Sequence, residues 1–323
     1  MNLTNDISPI GFGTWGFSND SYGKISKKKA TRLLMYGYKK GINFIDTAPS
    51  YGNGRAEKII GLFLKNKKIQ REKIIIASKC GLWKKKIYPK KDYFDFSPKF
   101  INRQIMATLS NINSKYIDIV FLHSPTENKK INFNKTFKTL EKLRARGLIR
   151  EIGVSPQKPS DALYFIENFK FKFLEINFNL IDQRCIDYSL FEKCKKKKII
   201  VIARTPLNLG FLGKKINLIK IKKNSLDHRS DFKIEQLKLW RNAIGQFKIL
   251  IKRTKSSIFS LRFCLSFNPV ISAIPGMMSE KEISENASIL KMKKISFNKD
   301  VLLKCRDIYL KNNFIYNSSL KRN

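Results

Sequence analysis

Gly41-Ile42-Asn43-Phe44-Ile45-Asp46-Thr47-Ala48-Pro49-Ser50-Tyr51-Gly52 passes from a glycine through a short apolar run to an acid, and then into a loop that carries a phenol. A short apolar run bounded by turn residues reads as a buried strand. The same grammar recurs downstream. Lys79 follows Ile74-Ile75-Ile76-Ala77-Ser78, and His123 follows Ile117-Asp118-Ile119-Val120-Phe121-Leu122. If these runs are parallel strands, Asp46, Tyr51, Lys79 and His123 gather at one rim of the sheet. An acid, a phenol, an amine and an imidazole converging on one point make a proton-transfer site.

Working outward, short β-type runs alternate with longer helical patterns. Strands are expected at 9–14, 42–46, 73–78, 116–122, 149–154, 172–177, 198–203 and 270–274. Helices are expected at 26–40, 55–66, 97–113, 132–146, 159–169, 187–197, 235–251, 256–266, 279–290 and 299–311. In the first helix Ala30, Leu33, Leu34, Gly37 and Tyr38 fall on one face, Ser26 can cap its start, and Gly41 can end it in the left-handed conformation. Gly147 is placed to stop the helix at 132–146. Alternation of this kind implies a parallel sheet, because each crossover uses a helix. Eight units in a chain of 323 residues match a (β/α)8 TIM barrel, with a doubly wound sheet as the alternative. No linker divides the chain, so one domain over 1–323 is expected, with a core at about 9–290 and a C-terminal helix and tail at 291–323. The irregular stretch 205–234 is long enough to be a functional loop.

Gly11-Phe12-Gly13-Thr14-Trp15-Gly16 matches a dinucleotide-binding fingerprint letter for letter. That fingerprint needs a helix opening within the glycines. Here the next helix starts near Ser26, and the acid at Asp46 falls too late. A Rossmann domain is not expected.

Sixty-five Lys and Arg against 25 Asp and Glu give a net charge of +40. Clustered cations would point to nucleic acid. These lysines spread through helices, loops and termini, and runs such as Lys84-Lys85-Lys86 and Lys195-Lys196-Lys197-Lys198 read as solvated surface. No nucleic-acid motif accompanies them, so no specific nucleic-acid partner is expected, although anions are attracted at low salt. The start lacks a basic and apolar leader, and no run of about 18 apolar residues exists, so a cytoplasmic protein without membrane spans is expected. Cys80, Cys185, Cys194, Cys264 and Cys305 form no pair or cluster. They read as reduced thiols, with no metal site.

Taken singly, an Asp at a strand end is usually a cap, a Lys there is usually surface, and a lone His is usually structural. Their joint placement on consecutive strand ends changes that reading. A phenol titrates near 10 in water, and a nearby ammonium favours phenolate. Asp46 can hold Lys79 in place, and His123 can orient the reacting oxygen. The set describes a general acid that protonates an oxygen as charge builds on it, which matches hydride addition to a carbonyl or its reverse.

The chain resembles the aldo-keto reductase family. The resemblance rests on Gly13-Thr14-Trp15, on Gly41 to Ala48 with Tyr51-Gly52, on Ser78-Lys79-Cys80-Gly81 and on Leu122-His123-Ser124-Pro125. It continues through Leu143 to Arg150, Ile152-Gly153-Val154-Ser155, Asn179 to Arg184, Ile274-Pro275-Gly276 and Glu285-Asn286, covering about 10–290. It implies a barrel that binds NADP or NAD, with Tyr51 as general acid–base and Asp46, Lys79 and His123 completing a tetrad. It implies Thr14 and Asp46 near the nicotinamide, Ser155 and Glu175 at the carboxamide, and Arg204 against the ring. Thr205, Pro206, Leu207, Gly210 and Leu212 would follow the pyrophosphate. Gly276, Ser279, Glu282, Glu285 and Asn286 would surround the adenosine. Three departures stand out: Pro156 where Asn is usual, Glu175 where Gln is usual, and a shorter loop at Gly210-Phe211-Leu212-Gly213-Lys214. A carboxylate at Glu282 suits a free ribose hydroxyl and tilts the expectation to NAD. Trp15, Tyr22 and Trp83 are placed on loops at the mouth as substrate contacts. The substrate expected is a small carbonyl, sugar or alcohol; a non-catalytic cofactor-binding or regulatory subunit on the same fold is the alternative.

Overall fold

In the computed structural model, which describes residues 3–67, 69–84, 92–128, 130–252 and 254–314, each apolar run becomes one stave of a parallel sheet. The strands are β1 (Phe12–Gly13), β2 (Phe44–Asp46), β3 (Ile75–Cys80), β4 (Ile117–His123), β5 (Ile149–Ser155), β6 (Phe173–Asn177), β7 (Ile200–Arg204) and β8 (Val270–Ile274). They pair in chain order. The barrel closes where Ala273 donates to the Pro9 carbonyl (2.9 Å), Gly11 to Ala273 (2.9 Å) and Gly13 to Pro275 (3.1 Å). A (β/α)8 barrel replaces both the Rossmann and the doubly wound alternatives.

Several strands end later than the apolar pattern suggests. Lys79 and Cys80 remain in β3, paired with Phe121 and Leu122, and His123 remains in β4, opposite Ser155. The polar residues end the apolar run but not the hydrogen-bond ladder, so they are held by strand geometry rather than by a loop. In contrast, β1 shrinks to Phe12–Gly13. The helix expected at 235–251 breaks into Ile234–Ala243, the 3-10 turn Ile244–Phe247 and Lys248–Ile251. The one at 187–197 shortens to Leu190–Lys196 behind Ser189, which has φ 50°. A hairpin of Leu82–Lys84 with Asp92–Phe94 was not expected at all. Ser26 does accept from the Lys29 amide, Gly41 and Gly147 are left-handed, and the last helix is Lys299–Lys311. Lys195 to Lys198 are exposed; Lys85, Lys86 and the tail from 315 lie outside the described residues.

Successive strand side chains face opposite ways, and this decides what enters the barrel. Phe44, Ile75, Ala77, Ile119, Phe121, Phe173, Ile200, Ile202 and Ile274 form an inner core with Leu3 and Ile7 of the N-terminal segment. Ile45, Ile76, Val120, Leu122, Ile152 and Val154 pack outward in the larger layer shared with the helices. Counting by two from the inner set reaches Asp46, Lys79, His123, Glu175 and Arg204. Gly153 completes the pattern by absence: a Cβ there would collide with the Phe121 ring, so glycine leaves the room this ring fills.

The helical layer contains a second close approach. Gly61, in the helix Arg55–Leu64, lies against the backbone of Asn111 in the helix Pro98–Ile112, and a Cβ would sit far inside contact distance of the Asn111 carbonyl. Alanine normally favours a helix over glycine by about 1 kcal/mol. Here the clash is with backbone, which cannot swing aside, and overpacking typically costs about 1–3 kcal/mol. Gly61→Ala is expected to lower the urea midpoint; a raised midpoint would show that the helices can part.

At the bottom of the barrel, Asp118 accepts from Arg71 (2.7 Å) and the Ile76 amide (2.9 Å) through one oxygen, and from Arg150 (3.0 Å) through the other. The two guanidinium groups also lie over the Tyr116 ring, at 4.1 and 3.8 Å.

Candidate active site

Lys79 is the centre of the upper rim. Its Nζ is ion-paired with Asp46 and donates to the Thr47 carbonyl (3.1 Å) and the Tyr51 hydroxyl (3.3 Å). Glu175 Oε2 lies 3.4 Å from the same nitrogen. Lys79 is 0% exposed, Asp46 3% and Glu175 1%, so the pairing is desolvated. Burial by itself disfavours the ammonium, but the Asp46 and Glu175 carboxylates override it and raise the lysine. Tyr51 differs from the simple expectation. Burial raises the phenol more than Lys79 lowers it, so it stays protonated across the neutral range.

Tyr51 owes its position to a tightly folded loop. Its amide donates to Ala48 (3.0 Å), and Gly52 takes φ 62° with its Cα so near the Ser18 carbonyl that a Cβ would lie 2.5 Å from it. Arg55 ties this loop to the one after β1, through the Phe17 (3.1 Å) and Ile25 (2.5 Å) carbonyls. The phenol ring meets His123 edge-on at 6.2 Å and Trp15 at 6.5 Å. Thr14 fixes the β1 end by donating its hydroxyl to the Asp46 carbonyl (2.8 Å).

The rim continues past Glu175. Ser155 donates to Glu175 Oε1 (3.0 Å), and Arg204 donates to Ser155 (3.4 Å) and to the Pro156 carbonyl (2.9 Å). Pro156, which stands where Asn is usual, thus meets the arginine through its backbone carbonyl. Arg204 Nε is buried and has no hydrogen-bond acceptor. A hydroxyl, a carboxyl and an under-used guanidinium at adjoining strand ends fit a planar amide-bearing ring.

From Arg204 the chain runs through Thr205, Pro206, Leu207, Gly210 and Leu212 toward the helix Glu280–Ala287 that follows β8. Thr205 donates to Asn177 (2.9 Å), and the Leu212 amide donates to Leu207 (3.1 Å). Lys214 is ion-paired with Glu282, while Ser257 and Lys255 hold Glu285. Gly276 bridges to Gly13, and Asn286 is buried. Glu282 does not simply point to solvent. Ser279 caps the helix by accepting from its amide (3.3 Å), and its carboxylate accepts from the Met278 amide (2.8 Å). Burial raises this carboxyl, but Lys214 and Met278 outweigh burial and keep it below its ordinary range.

The aromatic residues separate. Trp15 and Tyr22 share a wall, 5.9 Å apart, beside Tyr51. Burial raises the Tyr22 phenol to about 12. Trp83 is 40% exposed on the hairpin, against Phe100, and faces another cleft of about 370 Å³ with Pro49, Asn53, Arg103 and Asn111. Nothing in the sequence alone picks out His228, whose ring lies 4.2 Å from Trp15 and 5.2 Å from Tyr22. It arrives on the long loop after β7, which docks on the loop after β1 through the Tyr22–Asp227 bridge and the His228 amide on the Ser21 carbonyl (2.9 Å). Only the length of that loop hinted at such a reach.

The model of the aldo/keto reductase family matches residues 9–308. The NADH-specific methylglyoxal reductase of Escherichia coli (strain K12) is 25% identical over 301 residues, 89% of this chain and 91% of that protein. Among solved structures, the glycerol dehydrogenase AKR11B4 from Gluconobacter oxydans matches with a TM-score of 0.78 at 24% identity, covering 94% of this chain and 92% of its own. An aldo-keto reductase from Klebsiella pneumoniae, in complex with NADPH, matches with a TM-score of 0.67 at 21% identity over 94% of this chain and 91% of its own.

Proposed function

We infer, because this chain belongs to the aldo/keto reductase family, that it transfers hydride between a nicotinamide cofactor and an aldehyde, ketone or sugar carbonyl, or the matching alcohol, with Tyr51 as general acid–base. The observation that carries this reading is the buried Asp46–Lys79 pair with its ammonium 3.3 Å from the Tyr51 hydroxyl. When bound, the cofactor would supply or accept the hydride. Ser155, Glu175 and Arg204 would hold its carboxamide end, and the 205–212 and 276–286 segments would hold the remainder. In reduction, Tyr51 gives its proton to the carbonyl oxygen as charge develops there, and Lys79 stabilises the phenolate left behind. His123, beside the phenol ring, orients the same oxygen. Trp15, Tyr22 and His228 form an aromatic wall for a small substrate.

We assign NADH as the better-fitting cofactor. An ionised carboxylate at Glu282 repels a 2′-phosphate and accepts from a ribose hydroxyl, and the Escherichia coli relative is itself NADH-specific. Fluorescence-quenching titration checks the assignment. NADH should bind more tightly than NADPH, and Glu282→Gln should move the ratio toward NADPH by about tenfold, equivalent to roughly 1.4 kcal/mol. An unchanged ratio would remove Glu282 from cofactor choice. Turnover is tested with a panel of aldehydes, ketones and sugars; tight cofactor binding with no turnover on any of them would favour the non-catalytic reading.

A further inference from the structure

Lys79 meets more acceptors than it can serve. An ammonium has three N–H donors, and these go to Asp46, Thr47 and Tyr51. Glu175 Oε2 faces the same nitrogen at 3.4 Å and receives none of them. Arg204 donates to Ser155 and Pro156 and is linked to Glu175 through the Ser155 hydroxyl. His123 faces the Tyr51 ring. Two carboxyls thus stand against one ammonium, all three buried. Leaving both ionised would set two buried negative charges against the one ammonium they face and leave a bare carboxylate oxygen, and neighbouring carboxyls in that position retain a proton. In keeping with this, burial and then the Glu175 carboxylate push the Asp46 carboxyl well above its ordinary range, against the pull of Lys79.

We propose that Asp46 and Glu175 hold one proton between them above Lys79, so that the pair carries a single negative charge and either acid can serve as the counter-ion of the ammonium. The proton belongs to the pair rather than to one residue. Glu175 is then a positioning residue, acting on Tyr51 through Lys79. The catalytic meaning of the shared proton rests on the oxidoreductase reading above; its existence does not.

Infrared difference spectroscopy on the cofactor-free protein decides it. Glu175→Gln, compared with the wild type, should lose a protonated-carboxyl band and no ionised-carboxylate band, because Asp46 becomes the ionised partner. Other buried acids, such as Glu57, which accepts from Ser78, Thr108 and Asn111, cancel in the difference. Loss of an ionised-carboxylate band instead would overturn the proposal. The alkaline limb of kcat/KM should also stay in place in Glu175→Gln, since the charge beside Tyr51 is unchanged, whereas a clear downward shift of that limb would mean that a full charge had been removed. Asp46→Asn should keep Lys79 paired through Glu175, and the Asp46→Asn/Glu175→Gln double variant should lose more in urea midpoint than the two single losses together. Simple additivity would count against the reserve counter-ion. If the Asp46 variants do not fold, the Glu175→Gln spectrum alone decides.

Discussion

Tyr51→Phe should lower kcat/KM by about 10²–10⁴, the usual contribution of a positioned acid or base, while cofactor affinity changes little. The substitution removes one hydroxyl, and with it the contact to Lys79 at 3.3 Å. The ring stays against His123 and Trp15, so the fold has no reason to respond. Steady-state kinetics beside a cofactor titration separates the two effects, and an unchanged kcat/KM in a folded, cofactor-binding variant would sink the assignment of Tyr51. The direction of the phenol's shift adds a sign. Burial holds it protonated to higher pH than a free tyrosine. Carbonyl reduction, which uses the protonated form, should persist through neutral pH and fade only on the alkaline side; alcohol oxidation, which uses the phenolate, should rise with pH.

Asp118→Ala should cost about 3–5 kcal/mol of stability, the range for removing one partner of a buried ion pair. Asp118 is fully buried and is the shared acceptor of Arg71, Arg150 and the Ile76 amide. Its removal leaves two guanidinium groups crowded on Tyr116 with no anion between them. Urea denaturation measures the loss, and a midpoint within error of the wild type would mean that water replaces the carboxylate at no cost. The two variants form a contrast: the first should slow the chemistry in a stable barrel, and the second should weaken a barrel whose upper rim is intact.

Much of this was legible in the sequence because the barrel writes its chemistry at the ends of apolar runs. Asp46, Lys79 and His123 stop such runs and share a rim for that reason. Strand ends are hidden from the apolar pattern where the ladder continues through a charged residue, as at Lys79 and on to Cys80. Positions fixed by tertiary reach were hidden. The Leu82–Lys84 hairpin lies in a lysine-rich stretch with no apolar period, and its fold carries Trp83 to a cleft that neither Trp15 nor Tyr22 lines. His228 is brought to Trp15 by a loop whose path no local pattern dictates. Glu282 carries a local signal of its own: Ser279-Glu280-Lys281-Glu282 is the capping-box spacing, which gives that carboxylate a helix-starting role beside any cofactor role. Glu175 was visible as a departure, but its place beside Lys79 depends on which strands neighbour which.

The inner core and the reactive groups share one alternation along the strands. A one-residue slip of β3 would turn Lys79 outward and present Ser78 or Cys80 to Tyr51, while Ile75 and Ala77 would leave the interior in the same movement. Insertions and deletions inside the staves are therefore closed to this lineage: they would remove the fold and the chemistry together. Divergence is left two routes, substitution at the rim and change of length in the connecting loops. The turn at 210–214 and the reach to His228 both lie in one such connecting loop, carried on a frame that cannot itself be re-registered.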